Sequence, residues 1–235
     1  MCTVIVRVPD SPADPVRLLA VRDEDPARPW NPLGAWWPDR PRLVGVQDRL
    51  AGGAWLAAED GRLAVLLNRA GHPDVGPERL ESRGGIVLAA VAGQPPRRPR
   101  TLGFNLVEVD GAEVAVTSWD GASVRRRALE PGTHMLAHDD VDDESTPRIR
   151  AWRAAFADAS TADAEAGWWA PWVDVLARSA ALPASDDRAI IRDNHAHGYP
   201  TLSLLACVAS IRPGRAEVRY AQLERAGAWN PLDFG

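Results

Sequence analysis

Short apolar runs separated by tight-turn signals constrain this chain more than any other feature. Glu59-Asp60-Gly61 lies between apolar runs at 54–58 and 63–67, and Asp110-Gly111 between 102–109 and 113–118. Pro213-Gly214 separates 206–211 from 216–223. Glycine at such positions accepts the positive φ that a hairpin connection needs, so each run reads as a strand paired with its neighbour. Further strands are expected over 3–8, 16–21, 43–47, 123–129 and 133–137. The runs at 54–58 and 63–67 are almost continuously apolar, which implies burial on both faces. Helices are expected over 86–92, 147–159 and 167–181. Proline is dense from 26 to 41, and that stretch reads as a loop without regular structure. Strands in the first half, helices in the middle and a closing hairpin fit an α+β layered domain rather than a parallel βαβ fold. Residues 1–235 are read as one domain.

Composition narrows the function. The net charge of -5 over 235 residues argues against nucleic acid as a partner. All 27 basic residues are arginine, which removes every lysine-based mechanism and reflects a GC-biased genome. Ten tryptophans are present, with Trp30, Trp36, Trp37, Trp168, Trp169 and Trp172 bunched, as expected for core or pocket walls. No basic segment precedes an apolar core at the N-terminus, and no apolar run approaches roughly 18 residues. A cytoplasmic protein without stable membrane insertion is therefore expected. Cys2 and Cys207 are the two cysteines, too few for a disulfide framework. A bridge between them stays open, although a reduced setting is simpler.

Position 2 is an unusual place for a thiol. If Met1 is removed, Cys2 carries an α-amine with a pKa near about 7.8 beside a thiol near about 8.5. A nucleophile and a candidate general base then share one residue. The strand behind it would hold that residue at a sheet end. Arg22 and Asp23 end the second strand of the hairpin, which brings them beside residue 2. A guanidinium there favours the thiolate, and a carboxylate would fix the α-ammonium. Asn68 and Asn105 are amides in apolar strands. Each either donates to an oxyanion or satisfies a turn backbone.

Other constellations carry less chemistry. His195-Ala196-His197 lacks a recognised ligand spacing, and the acidic run 139–144, expected to be solvated, lacks the pattern of a calcium loop. Arg125-Arg126-Arg127 lies on a strand, where successive residues alternate faces. No nucleotide or phosphate motif is found, so no cofactor and no metal is expected.

An ordered set of segments carries a family resemblance. Met1-Cys2-Thr3, Leu19-Ala20-Val21-Arg22-Asp23-Glu24, Gly52-Gly53-Ala54-Trp55-Leu56, Gly61-Arg62-Leu63-Ala64, Leu67-Asn68, Ser82-Arg83-Gly84, Gly103-Phe104-Asn105-Leu106 and Pro131-Gly132-Thr133 follow one another. The set resembles the NRDE family, which includes the transport and Golgi organisation protein 2 family. Val21 replaces the asparagine of the naming motif. The resemblance implies an N-terminal nucleophile (Ntn) hydrolase fold, a four-layer αββα sandwich of two mostly antiparallel sheets between helical layers. By analogy with bile-salt and penicillin V acylases it implies Cys2 as nucleophile, Arg22 tuning the thiol, Asp23 holding the amine and Asn68 near the oxyanion. Asn105, His138 and Trp55 are the residues expected to face the substrate. His138 falls where the family's later asparagine aligns, and Pro200 near its later arginine, which leaves part of the oxyanion and amine network unsupplied.

Two functions follow from the resemblance. One is a cysteine amidohydrolase acting on a small amide or acyl-amide. The other is a non-catalytic binder of haem, lipid or acyl-CoA, an apolar ligand for which a tryptophan-lined pocket would suit. The substrate and the oligomeric state are not legible.

Overall fold

The computed structural model describes residues 2–94, 96–159 and 167–235. Met1, whose removal the Cys2 reading requires, lies outside these residues, as does Pro95 in the Pro- and Arg-rich stretch 94–100. Two antiparallel sheets carry the architecture. The first takes β1 (Thr3–Val8), β2 (Val16–Glu24), β10 (Gly132–Leu136), β11 (Leu202–Arg212) and β12 (Arg215–Gln222) in the order β10-β1-β2-β11-β12. The second is a seven-stranded meander in chain order. It comprises β3 (Trp30–Gly34), β4 (Val44–Asp48), β5 (Ala54–Glu59), β6 (Arg62–Asn68), β7 (Phe104–Asp110), β8 (Glu113–Trp119) and β9 (Val124–Ala128).

Strand alternation builds the layers. Val4 and Val6 of β1 and Leu18 and Ala20 of β2 join the core between the sheets. Ile5, Leu19 and Val21 point the other way, into the core beneath α2 (Pro147–Asp158) and α3 (Ala170–Ser179). On the far side, α1 (Gly84–Val91) covers Ala57, Ala64 and Leu66 of the meander. The order helix, sheet, sheet, helices is an αββα sandwich. Because each central strand is buried on both faces, its sequence is a continuous apolar run rather than an alternating one.

The turn chemistry matches the sequence. Glu59 pairs with Arg62, leaving Asp60 (φ 49) and Gly61 (φ 79) as a two-residue loop with positive φ at both positions. Arg212 pairs with Arg215 around Pro213-Gly214, where proline presets φ and Gly214 takes φ 74. The tryptophans at 168 and 172 lie in the helical layer, where Trp172 meets Phe156 edge-on at 6.0 Å and Trp168 at 5.7 Å. Such pairs contribute about 0.5–1.5 kcal/mol beyond their buried area.

Two local expectations change. The proline-rich stretch holds β3, with Pro32 inside it. β3 is an edge strand whose register with β4 shifts between Asn31 and Gly34, so the missing N–H of Pro32 costs no ladder bond. The acidic run 139–144 is paired as well as solvated: Asp140 meets Arg69 and Arg125, and Asp142 meets His134. Among the described residues no helix is long and apolar enough to cross a membrane.

Candidate active site

Cys2 sits at the head of β1, 6% exposed, on the face that packs between the sheets. Thr3 pairs with Val21, so Arg22 continues the ladder opposite Cys2 and shares its face. The Cys2 Sγ lies 3.7 Å from the main-chain oxygen of Asp23, toward which it donates. The Arg22 guanidinium lies 5.4 Å from the ring centroid of Trp55 and bonds Glu24 at 3.1 Å. These residues line a cavity of about 400 Å³ together with Asp23, Arg28, Asn68 and Arg83. A larger cavity, about 670 Å³, lies over β6 to β9 near Asp110 and Glu113 and holds no nucleophile.

Asp23 turns to the opposite face. Its carboxylate accepts from Ser203 Oγ at 2.6 Å and from Asn194 Nδ2 at 3.3 Å. Ser203 is its cross-strand neighbour on β11, beside a register shift between Ser203 and Leu205. Asn194 Oδ1 accepts from Arg192 Nε at 3.0 Å, and Arg192 continues to Asp187 and His197. Arg148, on the first turn of α2, is fully buried and donates to Thr3 Oγ1 at 3.1 Å. Burial pushes it down to about 10, Arg192 pushes the same way, and Asp23 and Cys2 oppose both. Arg148 thus sets a buried guanidinium against β1, and Arg192 sets another behind Asn194 in the Asp23 network.

Burial also raises the Cys2 thiol above its ordinary value; the N-terminal ammonium pulls against that rise, and Arg22 does so less strongly. Cys207 is also free and buried, and burial pushes it up to about 12.

The structure brings together Cys2, Arg22, Asp23, Asn68 and Trp55 around one cavity. Asn105 lies elsewhere: it is fully buried, donates to the Asp139 carbonyl at 2.7 Å and accepts from Ser118 at 2.7 Å. That amide ties β7 and β8 to the chain leaving β10. His138 is also outside the cavity lining, 3.2 Å from Asp139, and burial lowers its imidazole. Trp55 is the tryptophan that lines the cavity; Trp168 and Trp172 are core. His195 pairs with Asp193, and His197 with Asp187. Sequence reasoning missed Asn194, Arg192, Arg148 and Ser203. Ser203 carried a usable signal, a hydroxyl inside the apolar run Leu202-Ser203-Leu204-Leu205.

The fold has a solved counterpart in the Caenorhabditis elegans ortholog of N-acylethanolamine-hydrolyzing acid amidase. The two superpose with a TM-score of 0.51 over 91% of this chain and 94% of that one, at 12% identity. The likeness extends to the Ntn-hydrolase sandwich as a whole and, at this identity, speaks for the fold alone. No curated protein matches the sequence. The profile described as "Transport and Golgi organisation 2" matches residues 1–196, and the chain belongs to that family.

Proposed function

We propose that this protein is an N-terminal cysteine amidohydrolase for small amides or acyl-amides. The observation that carries the reading is Cys2 at the strand head, lining the cavity with Arg22 across from it on the same face. Loss of Met1 would give Cys2 the α-amine. Sγ bonds to the amide carbonyl carbon while its proton passes to that amine. Asn68, which lines the same cavity, and nearby main-chain N–H groups receive the oxyanion. The C–N bond breaks as the amine leaving group takes the proton. Water then cleaves the thioester, returning the thiol and releasing the acid. Asp23, oriented by Ser203 and Asn194, is a positioning residue for the α-ammonium.

Intact mass and a panel of amides test this. Mature protein lacking the Met1 mass, with hydrolysis abolished in Cys2→Ser and Cys2→Ala, is the expected result. Retained Met1, or hydrolysis unchanged in both variants, sinks the mechanism.

A further inference from the structure

The charges around the Cys2 cavity are unevenly answered. Glu24 is bonded by Arg22, Asp48 by Arg28 and Glu81 by Arg100. Arg83 lines the same cavity and has no carboxylate partner among the described residues. It donates to the Gly103 carbonyl at 3.0 Å. Burial holds it below its ordinary value, and the charges of Glu24 and Cys2 act in the opposite sense. A guanidinium keeps its charge in such a place and has five N–H donors to satisfy.

Arg83 is also the N-cap residue of α1; its own side chain makes no cap bond, the first turn contains no acidic side chain, and Ser82 Oγ accepts the Gly84 N–H at 3.3 Å. Ser82, Arg83 and Gly84 all line the cavity, so the positive end of the helix opens onto it. A close approach fixes that end: a Cβ on Gly53 would lie 2.4 Å from the Gly84 carbonyl carbon. Two deeply buried donors belong to residues of the same cavity lining. Arg22 Nε and Trp55 Nε1 have no hydrogen-bond partner among the described residues, both side chains belong to residues only 5% exposed, and both residues line the cavity.

We propose that the cavity takes a substrate bearing a carboxylate, anchored by Arg83 and the first turn of α1 while the amide carbonyl lies over Cys2. The substrate class is a small acidic amide such as an N-acyl amino acid. The amide part of this assignment rests on the amidohydrolase reading; the anion site does not. A planar carboxylate matches the guanidinium fork. A phosphate dianion would bring a second negative charge beside Asp23, Glu24, Asp48 and Glu81, which line the same cavity, and so fits less well than a single carboxylate.

The test uses two alkylating probes of one shape, iodoacetate and neutral iodoacetamide, with modification at Cys2 followed by peptide mass. In each case the thiolate displaces iodide. The ratio of the two rates cancels any change in the thiol itself. Arg83→Gln should lower the iodoacetate-to-iodoacetamide ratio about tenfold, and Arg83→Lys less. An unchanged ratio in Arg83→Gln overturns the proposal. As a second measurement, N-acetylglycine should raise the melting temperature of the wild-type protein, N-acetylglycinamide should not, and the difference should vanish in Arg83→Gln. Equal stabilisation by the two compounds, or stabilisation by inorganic phosphate in their place, also overturns it. A ratio that falls in a protein without hydrolysis of any amide supports the anion site and removes only the amidohydrolase reading.

Discussion

Ser203 donates from Oγ to Asp23 Oδ1 at 2.6 Å, across the β2–β11 pair that joins the first hairpin to the last. The same hydroxyl accepts from the Arg192 main-chain N–H at 2.8 Å. One side chain therefore holds the carboxylate behind Cys2 and anchors the loop that supplies Arg192 and Asn194.

Ser203→Ala removes both bonds and leaves a buried N–H and a buried carboxylate oxygen each short of a partner. Unfolding free energy should fall by about 1–3 kcal/mol, read from urea denaturation. Any amidase activity should fall through kcat more than KM, because Asp23 would orient the amine and not the substrate. A KM effect alone would place Ser203 in substrate binding instead.

The two thiols should separate under alkylation of the native protein. Cys207 is pushed up to about 12 and is fully buried, so it should stay unmodified until denaturant is added. Cys2 lines the cavity and should react. Since burial raises its thiol, its rate at pH 7 should be low and still climbing above about pH 8.5, the ordinary thiol value. A rate that levels off below neutrality would mean that the N-terminal ammonium and Arg22 together outweigh burial.

Gly53→Ala tests the contact that sets the helix end against the cavity. The new methyl would overlap the main chain of Gly84, neither part of which is a flexible side chain. Overpacking of this kind costs about 1–3 kcal/mol. The melting temperature should fall, and the iodoacetate preference of Cys2 should fall with it. Gly52→Ala, where a Cβ meets nothing nearby but φ is 69, controls for backbone strain.

Most of the sandwich was legible because its determinants are local. Asp60-Gly61 and Pro213-Gly214 announce their hairpins, and continuous apolar runs announce strands buried on both faces. Cys2, Arg22 and Asp23 came together by register alone, since a hairpin places residue 22 opposite residue 2. β3 was hidden because Pro32 argues against a strand everywhere except at an edge. Arg192 and Asn194 were hidden for a different reason. They lie in an irregular segment before β11, and their approach to Asp23 depends on a pairing between strands nearly the whole chain apart. Asn105 and Asn68 looked alike in sequence as amides in apolar strands. Their different surroundings, a buried backbone tie for one and the cavity for the other, arise from tertiary packing.

His134 and Asp142 make the acidic loop a pH-dependent clasp on β10. His134 Nδ1 lies 2.7 Å from Asp142 Oδ2, and Asp142 Oδ1 accepts the Met135 N–H at 2.8 Å. The hydrogen bond to Asp142 raises the imidazole. His134 and the Met135 N–H hold the carboxyl low against the opposing effect of burial. A raised histidine contributes stability that is fully present below its ordinary value, about 6.5, and lost as pH rises through the folded value. A lowered aspartate contributes above its ordinary value, about 3.9, and loses that contribution as pH falls. The pair is therefore worth most between these limits. Asp142 has φ 60, a conformation asparagine tolerates, so Asp142→Asn removes charge without adding backbone strain. The variant should lose about 1 kcal/mol at pH 5.5 and less at pH 8.5. Urea denaturation at both values checks this, and an equal deficit at both would assign the cost to packing rather than to the ion pair.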